Sequence, residues 1–408
     1  MDNSANMNNR RSVFLVIENL ALIGNAYGNE TARLMSEAFE KRLRTHSCEG
    51  ARWHRVSSAI FALFFDEGTA PLAGGVFEDL WVALAGKSFT IGGDCLLAVP
   101  SLHTDLAEAR AATHPATALT EQWAAGYRKD MVAAARLVDE IANGHLLHLW
   151  QAIRSTRQPE MVLHYEMTAH SCDHSGRIAS VALAQAALAR IGLSWVHDRA
   201  MVLHAVDELE ADARPAIAVC LSQLGLCQDW GGHPGIWFSA LSRLAARPDV
   251  AARLVIDMSE GHGTVSLDEL RQGFLRFKRL GASISVSGFA SSTLTFAHLT
   301  AIDPDFVKIS PVFLHAAPLS DGARRRLQLL INLASTFART VIVEGMENEQ
   351  QLQIALAAKA DWAMGALMGQ PALSRRWKLD HDCQFTAPLP VAENCSGAEP
   401  NLPMTAFG

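Results

Sequence analysis

The chain has 408 residues, of which 49% are hydrophobic and 19% are charged, and its formal net charge is -7. This apolar content is enough for two folded domains of about 100–200 residues each and is too high for a disordered chain. The negative charge gives no electrostatic attraction for nucleic acid. No run of about 20 apolar residues predicts a membrane span.

The seven cysteines are scattered along the chain without a C-x-x-C pair. Their odd number and their spacing favour free thiols in a reducing compartment over a disulfide framework or a zinc site. The polar N-terminus contains only a short apolar run, which is not the pattern of a signal peptide. We therefore expect a cytoplasmic protein.

The first 122 residues alternate between strand and helix patterns after a polar segment, residues 1–12, that is predicted to be disordered. Residues 13–17, 56–65 and 95–99 have the apolar runs of strands, with a turn at Ser57-Ser58. Residues 29–43 and 76–85 have helical periodicity. The alternation over residues 13–122 predicts an α/β or α+β sandwich.

This region resembles the GGDEF domain of diguanylate cyclases. Residues 16–29 have the frame of that family's D-x-D-x-F-K-x-I-N-D-x-Y-G-H segment, and its signature hairpin falls on residues 57–61. The family's metal aspartate falls on Val16, its signature carboxylate on Ala59 and its guanine-recognising asparagine on Gly24. Because GTP cyclisation needs acidic side chains to hold Mg²⁺, the resemblance implies a degenerate domain without cyclase activity.

One segment, Gly92-Gly93-Asp94, spells the start of the same signature but comes too late in the chain to occupy its place. It predicts a glycine-rich turn before a strand instead. Residues 123–144 then have long helical periodicity that ends at Gly144, which predicts a helix linking two domains.

From residue 145 to residue 385, apolar strand-like runs alternate with helical segments, and the tail at 386–408 is rich in Pro, Gly and Ala and is expected to be flexible. Eight strands in this arrangement predict a (β/α)₈ TIM-like barrel. The predicted strands are 146–150, 161–167, 216–221, 253–258, 283–286, 306–309, 340–344 and 362–366.

Seven motifs at the ends of these strands resemble, in order, those of the EAL domain family of cyclic-di-GMP phosphodiesterases. The family motifs are E-A-L, V-N-L-S, L-E-I-T-E, D-D-F-G, V-K-I-D, A-E-G-V-E and Q-G-Y-L-F-x-x-P. Here they read Tyr165-Glu166-Met167-Thr168, Val219-Cys220-Leu221-Ser222, Ile256-Asp257-Met258-Ser259-Glu260, Ser287-Gly288-Phe289-Ala290, Val307-Lys308-Ile309-Ser310, Val343-Glu344-Gly345-Met346-Glu347 and Met364 through Pro371.

Phosphodiester hydrolysis by this family needs two divalent metals held by hard oxygen ligands. Here Cys220 replaces an asparagine with a soft sulfur, and Ser287 and Gly288 replace two adjacent aspartates. The resemblance therefore implies no metal site, no cofactor and no catalytic residue. It leaves a remnant ligand pocket whose four candidate residues are Glu166, Asp257, Lys308 and Glu344.

Simpler interpretations stay open for these residues. The three carboxylates fit polar groups of a barrel mouth, and Lys308 fits an ion pair with Glu344 or Asp257 as well as a phosphate contact. His164, His170, His174 and Cys172 lie close in sequence and leave a metal site open, and the run Arg324–Arg326 leaves an anionic partner open.

The sequence thus favours a degenerate GGDEF–EAL protein, inactive in both domains, that regulates bacterial signalling through a protein partner. A cyclic-di-GMP receptor is the first alternative, and an active phosphodiesterase is the second. A homodimer is compatible with the resemblance.

Overall fold

The computed structural model describes residues 12–46, 51–65, 75–113, 120–172, 175–227, 235–258, 265–291, 296–375 and 377. The prediction of a disordered segment over residues 1–12 lies outside the described residues except at Ser12, which begins β1, and the predicted flexible tail from residue 386 lies wholly outside them. The same applies to the predicted end of the barrel region at residue 385.

The strands of the described residues are β1 to β15 in chain order. Their bounds are Ser12–Ile17, Ala51–Arg55, Ile60–Phe65, Phe89–Ile91, Asp94–Leu96, Pro100–His103, Leu147–Ser155, Val162–Cys172, Ile178–Ser180, Ile217–Leu221, Leu254–Met258, Ser283–Phe289, Phe306–Ile309, Thr340–Val343 and Trp362–Ala363.

The α-helices of the described residues are α1 to α15 in chain order. Two short 3₁₀ helices, Gly235–Trp237 and Ala317–Leu319, also lie among the described residues. The helices run over Leu20–Tyr27, Asn29–His46, Val76–Ala85, Leu106–Ala111, Glu121–Ala142, Ala182–Ile191, Ser194–Ala211, Gln223–Leu226, Phe238–Ala246, Pro248–Ala251, Leu267–Lys278, Phe296–Ile302, Pro311–Ala316, Asp321–Ala334 and Glu349–Ala357.

The N-terminal part of the chain contains an antiparallel sheet of four strands in the order β2-β3-β1-β6. Helix α2 packs on it with Met35, Phe39 and Leu43, which are spaced four residues apart and are fully buried. The predicted strand over residues 56–65 begins too early, because residues 51–55 form β2 and residues 56–59 form the turn to β3. The hydroxyl of Ser57 accepts hydrogen bonds from two backbone amides of this turn.

The predicted glycine-rich turn is confirmed. Gly92 and Gly93 connect β4 and β5, and both have a positive φ, at 60° and 95°, which glycine adopts without strain. Strand β5 is shorter than predicted, since it runs over Asp94–Leu96.

The C-terminal part is a mixed α/β unit whose eight strands, β7, β8 and β10 to β15, close into a barrel. Seven of the strands run parallel, and β7 runs antiparallel to both of its neighbours. A helix after every strand was expected, and this is wrong for the first strand. Only residues 156–161 join β7 to β8, which is too short for the crossover that parallel strands need.

Helix α5 confirms the predicted helix between the two parts and begins at a Thr120 cap, whose hydroxyl accepts from the Trp123 amide at 3.2 Å. Helix α5 lies against α6. The Arg190 guanidinium of α6 donates two hydrogen bonds of 2.7 Å to the Asp130 carboxylate of α5.

A second contact joins the two parts through a buried carboxylate. Glu78 of α3 is 1% exposed and accepts hydrogen bonds from the Arg199 guanidinium of α7 at 2.5 Å and from the Ser239 amide of α9 at 2.7 Å. A buried carboxylate is stable only when it is paired in this way. The N-terminal part is therefore anchored on barrel helices α7 and α9.

We expect Glu78→Ala to lower the free energy of unfolding by about 3 kcal/mol, because it leaves Arg199 and the Ser239 amide without their partner. Urea unfolding followed by circular dichroism measures the change. The matched control is Glu30→Ala, which removes an exposed ion pair with Arg33 and is expected to leave the midpoint unchanged. Equal midpoints for the two variants would contradict the anchoring role of Glu78.

Candidate functional site

The mouth of the barrel brings together residues from strands that are distant in sequence. Glu166 lies on β8, Asp257 on β11 and Lys308 on β13, and Glu344 directly follows β14. Since successive side chains of a strand alternate between its two faces, each of these strands directs one of these residues inward near its carboxyl end. The four predicted site residues therefore belong to one end of the barrel.

The centre of this site is the ammonium group of Lys308, whose side chain is fully buried. It lies 2.9 Å from Oδ2 of Asp257 and also contacts Oε1 of Glu166. The two carboxylate side chains are 3% and 16% exposed. The interpretation of Lys308 as an ion-pair partner of Asp257 is thus confirmed, and Glu166 is a second partner.

Ser287 supplies a further contact to the same carboxylate. Its hydroxyl donates to Oδ2 of Asp257 at 2.6 Å, so that oxygen accepts from both a hydroxyl and an ammonium group. Strand β12 has a register irregularity between Val286 and Phe289, and Gly288 within it has a φ of 73°. This bulge orients Ser287 toward Asp257.

The electrostatics of the site follow from its burial. Burial raises the pKa of Asp257, and the hydrogen bond from Ser287 opposes that rise. Burial lowers the pKa of Lys308, while the charge of Glu344 opposes the decrease. Burial also raises the pKa of Glu344, and Lys308 acts in the opposite direction. Glu344 is therefore electrostatically part of the cluster.

This donor set does not fit a pair of hard divalent cations. The carboxylates of Glu166 and Asp257 already share a cation, the Lys308 ammonium, and Ser287 contributes a neutral hydroxyl. Cys220 pairs in register with Asp257 on the neighbouring strand and brings a soft sulfur. Among the described residues, no group of three or more His, Cys, Asp or Glu side chains is arranged to hold a metal.

Gln151 of β7 has a structural role at the closing motif of the barrel. The side-chain amide of Gln151 donates to the carbonyl oxygen of Gly369 at 3.0 Å. The nearby Trp150 exchanges backbone hydrogen bonds with Ala372 at 2.9 and 3.1 Å. These contacts tie the closing motif of the barrel to β7.

His164 is a site residue whose environment the sequence did not indicate. It precedes Glu166 by two positions on β8, so its ring lies deeper inside the barrel, and it is 1% exposed. Its ring packs edge-on against Phe306, with 5.1 Å between the centroids. Both ring nitrogens are buried without a hydrogen bond, and burial lowers the pKa of His164 to about 3.

The metal site left open at His164, His170, His174 and Cys172 is not formed by the residues that the structure describes. His164 and His170 stand six positions apart on one strand, and at about 3.3 Å per residue their backbones are too far apart to share an ion. His174 lies outside the described residues.

A comparison with known protein families identifies the barrel. The family model described as "EAL domain" matches residues 134–371, which is more than half of the chain. The chain belongs to the EAL domain family. The matched residues include all eight strands of the barrel and the four residues of the site.

Two curated relatives are cyclic di-GMP phosphodiesterases by name. PdeF of Escherichia coli K12 is 22% identical over 178 residues, which is 43% of this chain and 23% of that protein. TpdA of Vibrio parahaemolyticus is 29% identical over 110 residues, which is 27% of this chain and 19% of that protein. The chain therefore spans less than a quarter of the length of these relatives.

Solved structures show the same fold at low sequence identity. The S helix–GGDEF–EAL portion of Vibrio cholerae LapD, in its apo form, matches 89% of this chain and 90% of its own, with 14% identity and a TM-score of 0.52. The EAL domain of Xanthomonas citri FimX, solved with c-diGMP, matches 61% of this chain and 96% of its own, with 15% identity and a TM-score of 0.52.

Among the described helices, none combines the length and the apolar character that crossing a bilayer requires.

The buried ring of His164 predicts a pH dependence of stability. The unfolded chain takes up a proton near pH 6.5, whereas the folded chain does so only near the depressed pKa of about 3. Stability is therefore lost as the pH falls below about 6.5. Between about pH 7 and pH 5, we expect the wild type to lose about 2 kcal/mol more of its unfolding free energy than His164→Phe loses.

Urea unfolding at the two pH values measures this difference. Burial also lowers the pKa of His148, to about 4, so part of the acid sensitivity is shared by both proteins, and the difference between their profiles is the decisive quantity. Parallel profiles would show that His164 does not titrate in the way that its burial requires.

Proposed function

We propose that this chain is a catalytically inactive EAL protein that regulates bacterial signalling by binding a partner protein. The observation that carries the proposal is that Ser287, a neutral hydroxyl bonded to Asp257, stands where the family has an aspartate, while neither Cys220 nor Gly288 supplies a side-chain oxygen. In addition, Glu166 and Asp257 share the Lys308 ammonium, and carboxylates that are already paired with a cation are weaker ligands for Mg²⁺. The chain therefore keeps the barrel fold but lacks metal ligands that hydrolysis by this family needs.

The proposal assigns residues 13–122 to a degenerate GGDEF-like domain, 123–144 to a linker helix and 145–385 to the EAL-like barrel. The match to the LapD S helix–GGDEF–EAL structure over 89% of this chain supports this assignment. At the two positions where the cyclase family carries its carboxylates, Val16 is fully buried and Ala59 is 9% exposed. The GGDEF-like domain therefore lacks carboxylates that its family carries, as the EAL-like barrel does. We place the protein in the cytoplasm.

We expect the purified protein to show no hydrolysis of cyclic-di-GMP above background with Mg²⁺ or Mn²⁺, because loss of even one transition-state contact typically costs about 10²–10³ in rate. Chromatographic detection of the linear product measures this. The matched variant, C220N/D257E/S287D/G288D, restores the family's oxygen ligands and is expected to gain Mn²⁺ binding. The decisive contrary result is wild-type turnover that Glu166→Ala abolishes.

A cyclic-di-GMP receptor is the second candidate. The solved EAL domains of FimX from Xanthomonas citri and Pseudomonas aeruginosa hold c-di-GMP according to their descriptions. In this chain Glu166, Lys308 and Glu344 remain at the corresponding mouth. However, an ammonium group that is already bonded to two carboxylates must give up those bonds before it contacts phosphate, which weakens capture.

Isothermal titration with cyclic-di-GMP, first in Mg²⁺ and then in Ca²⁺, separates the two candidates. We expect any dissociation constant to lie above about 10 μM, because ligand phosphate must compete with two internal carboxylates for Lys308. Binding tighter than that, if weakened by Glu166→Ala or Glu344→Ala, would make the protein a second-messenger receptor and would replace the first proposal.

A further inference from the structure

An open groove lies on the outer surface of the barrel, between helices α14 and α15. We call it the α14–α15 groove, and its volume is about 690 Å³. Leu329, Ile354 and Ala357 form its apolar surface, and Gln328, Gln353 and Arg325 border it. The groove is separate from the site at the barrel mouth, since its residues are on the helices that surround the strands.

The two helices present matching stripes to this groove. On α15, Gln350, Gln353, Ile354 and Ala357 are spaced as positions i, i+3, i+4 and i+7 of one helix face. On α14, Leu329 is 65% exposed, although leucine is normally a core residue. An apolar floor between two rows of polar side chains is the geometry into which an amphipathic helix packs its apolar face.

The first turns of α14 add an unusual positive charge. Arg324, Arg325 and Arg326 follow one another near the positive end of the helix dipole, where cations are unfavourable. Arg324 pairs with Asp321, whereas no ion pair of Arg325 or Arg326 is formed within the described ranges of the chain. Arg325 borders the groove with its charge uncompensated, and Arg326 does not line it.

We propose that the α14–α15 groove binds an acidic amphipathic helix of a partner protein. Apolar side chains of that helix cover Leu329 and Ile354, and a carboxylate at one end of it pairs with Arg325. Charge complementarity selects this occupant, because an acidic group is attracted both by the unpaired guanidinium and by the positive end of α14. The inference rests on the proposed role in protein binding, for which it names the surface.

A display library of helical peptides of about 15 residues, or four turns, tests the groove when it is selected against the full-length protein. We expect selected peptides to carry apolar residues at i, i+3 or i+4 and i+7, with Glu or Asp near one end. Leu329→Gln is expected to weaken a selected peptide by at least about tenfold, as loss of one buried leucine contact implies. Arg325→Glu is expected to weaken it as well and to restore binding of the matched peptide in which Lys replaces the acidic residue.

Two controls separate the groove from general surface effects. Leu183→Gln replaces a leucine of α6 that is 86% exposed, and Arg326→Glu reverses the charge next to Arg325 in the sequence. Both are expected to leave the affinity of the selected peptide unchanged. Affinity losses as large in the controls as in the groove variants would overturn the proposal.

Two other occupants give distinct results that also overturn it. A wild-type dimer in sedimentation velocity that Leu329→Gln dissociates would identify a second copy of the chain as the occupant. A large gain in peptide affinity on deletion of residues 378–408 would identify the chain's own C-terminal segment. Hydrolysis of cyclic-di-GMP by the same variants is measured separately, so turnover would refute the proposed inactivity without affecting the result for the groove.

Discussion

The buried ammonium group of Lys308 is the constraint on which the rest of the barrel mouth depends. Removing a charge of this kind from water costs several kcal/mol, and the cost is offset only by close contacts with opposite charges. Glu166 and Asp257 make those contacts, and Ser287 bonds to the oxygen of Asp257 that Lys308 also reaches. The closed barrel makes this possible because four different strands, β8, β11, β12 and β13, bring these groups to one point.

This cluster explains why carboxylates persist where metal-dependent catalysis is not expected. In a two-metal site, such groups would serve the cations. Here the removal of either carboxylate leaves a buried lysine with one partner fewer, so a stability requirement alone is enough to retain Glu166 and Asp257. Retained catalytic residues are therefore weak evidence for activity in this chain. The replacements Cys220, Ser287 and Gly288 carry the functional argument, since they remove oxygen ligands that folding does not need.

The sequence predicted strands and helices correctly where a short apolar run marked the element. All eight barrel strands were located, because the sequence marks each of them by a short apolar run, and Val76–Ala85 matches the predicted helix. Strand direction was harder, since the reversal of β7 follows from the length of its connection to β8 and from no side-chain pattern. The pairing of Gln151 with Gly369 joins positions distant in sequence, and no local periodicity could indicate it. His164 illustrates the same limit, because its burial depends on Phe306.

The arrangement of contacts narrows where this protein can recognise another molecule. At the mouth, Glu166 and Asp257 both contact the Lys308 ammonium, so a ligand phosphate that binds Lys308 must compete with an internal ion pair. Near α3, the buried Glu78 holds the N-terminal part against α7 and α9, which covers those helices. Helices α14 and α15 instead leave an apolar floor exposed, bordered by the Arg325 guanidinium, for which the described residues form no ion pair. Binding of a partner to the outer helices of the barrel is therefore energetically favoured over binding at the barrel mouth.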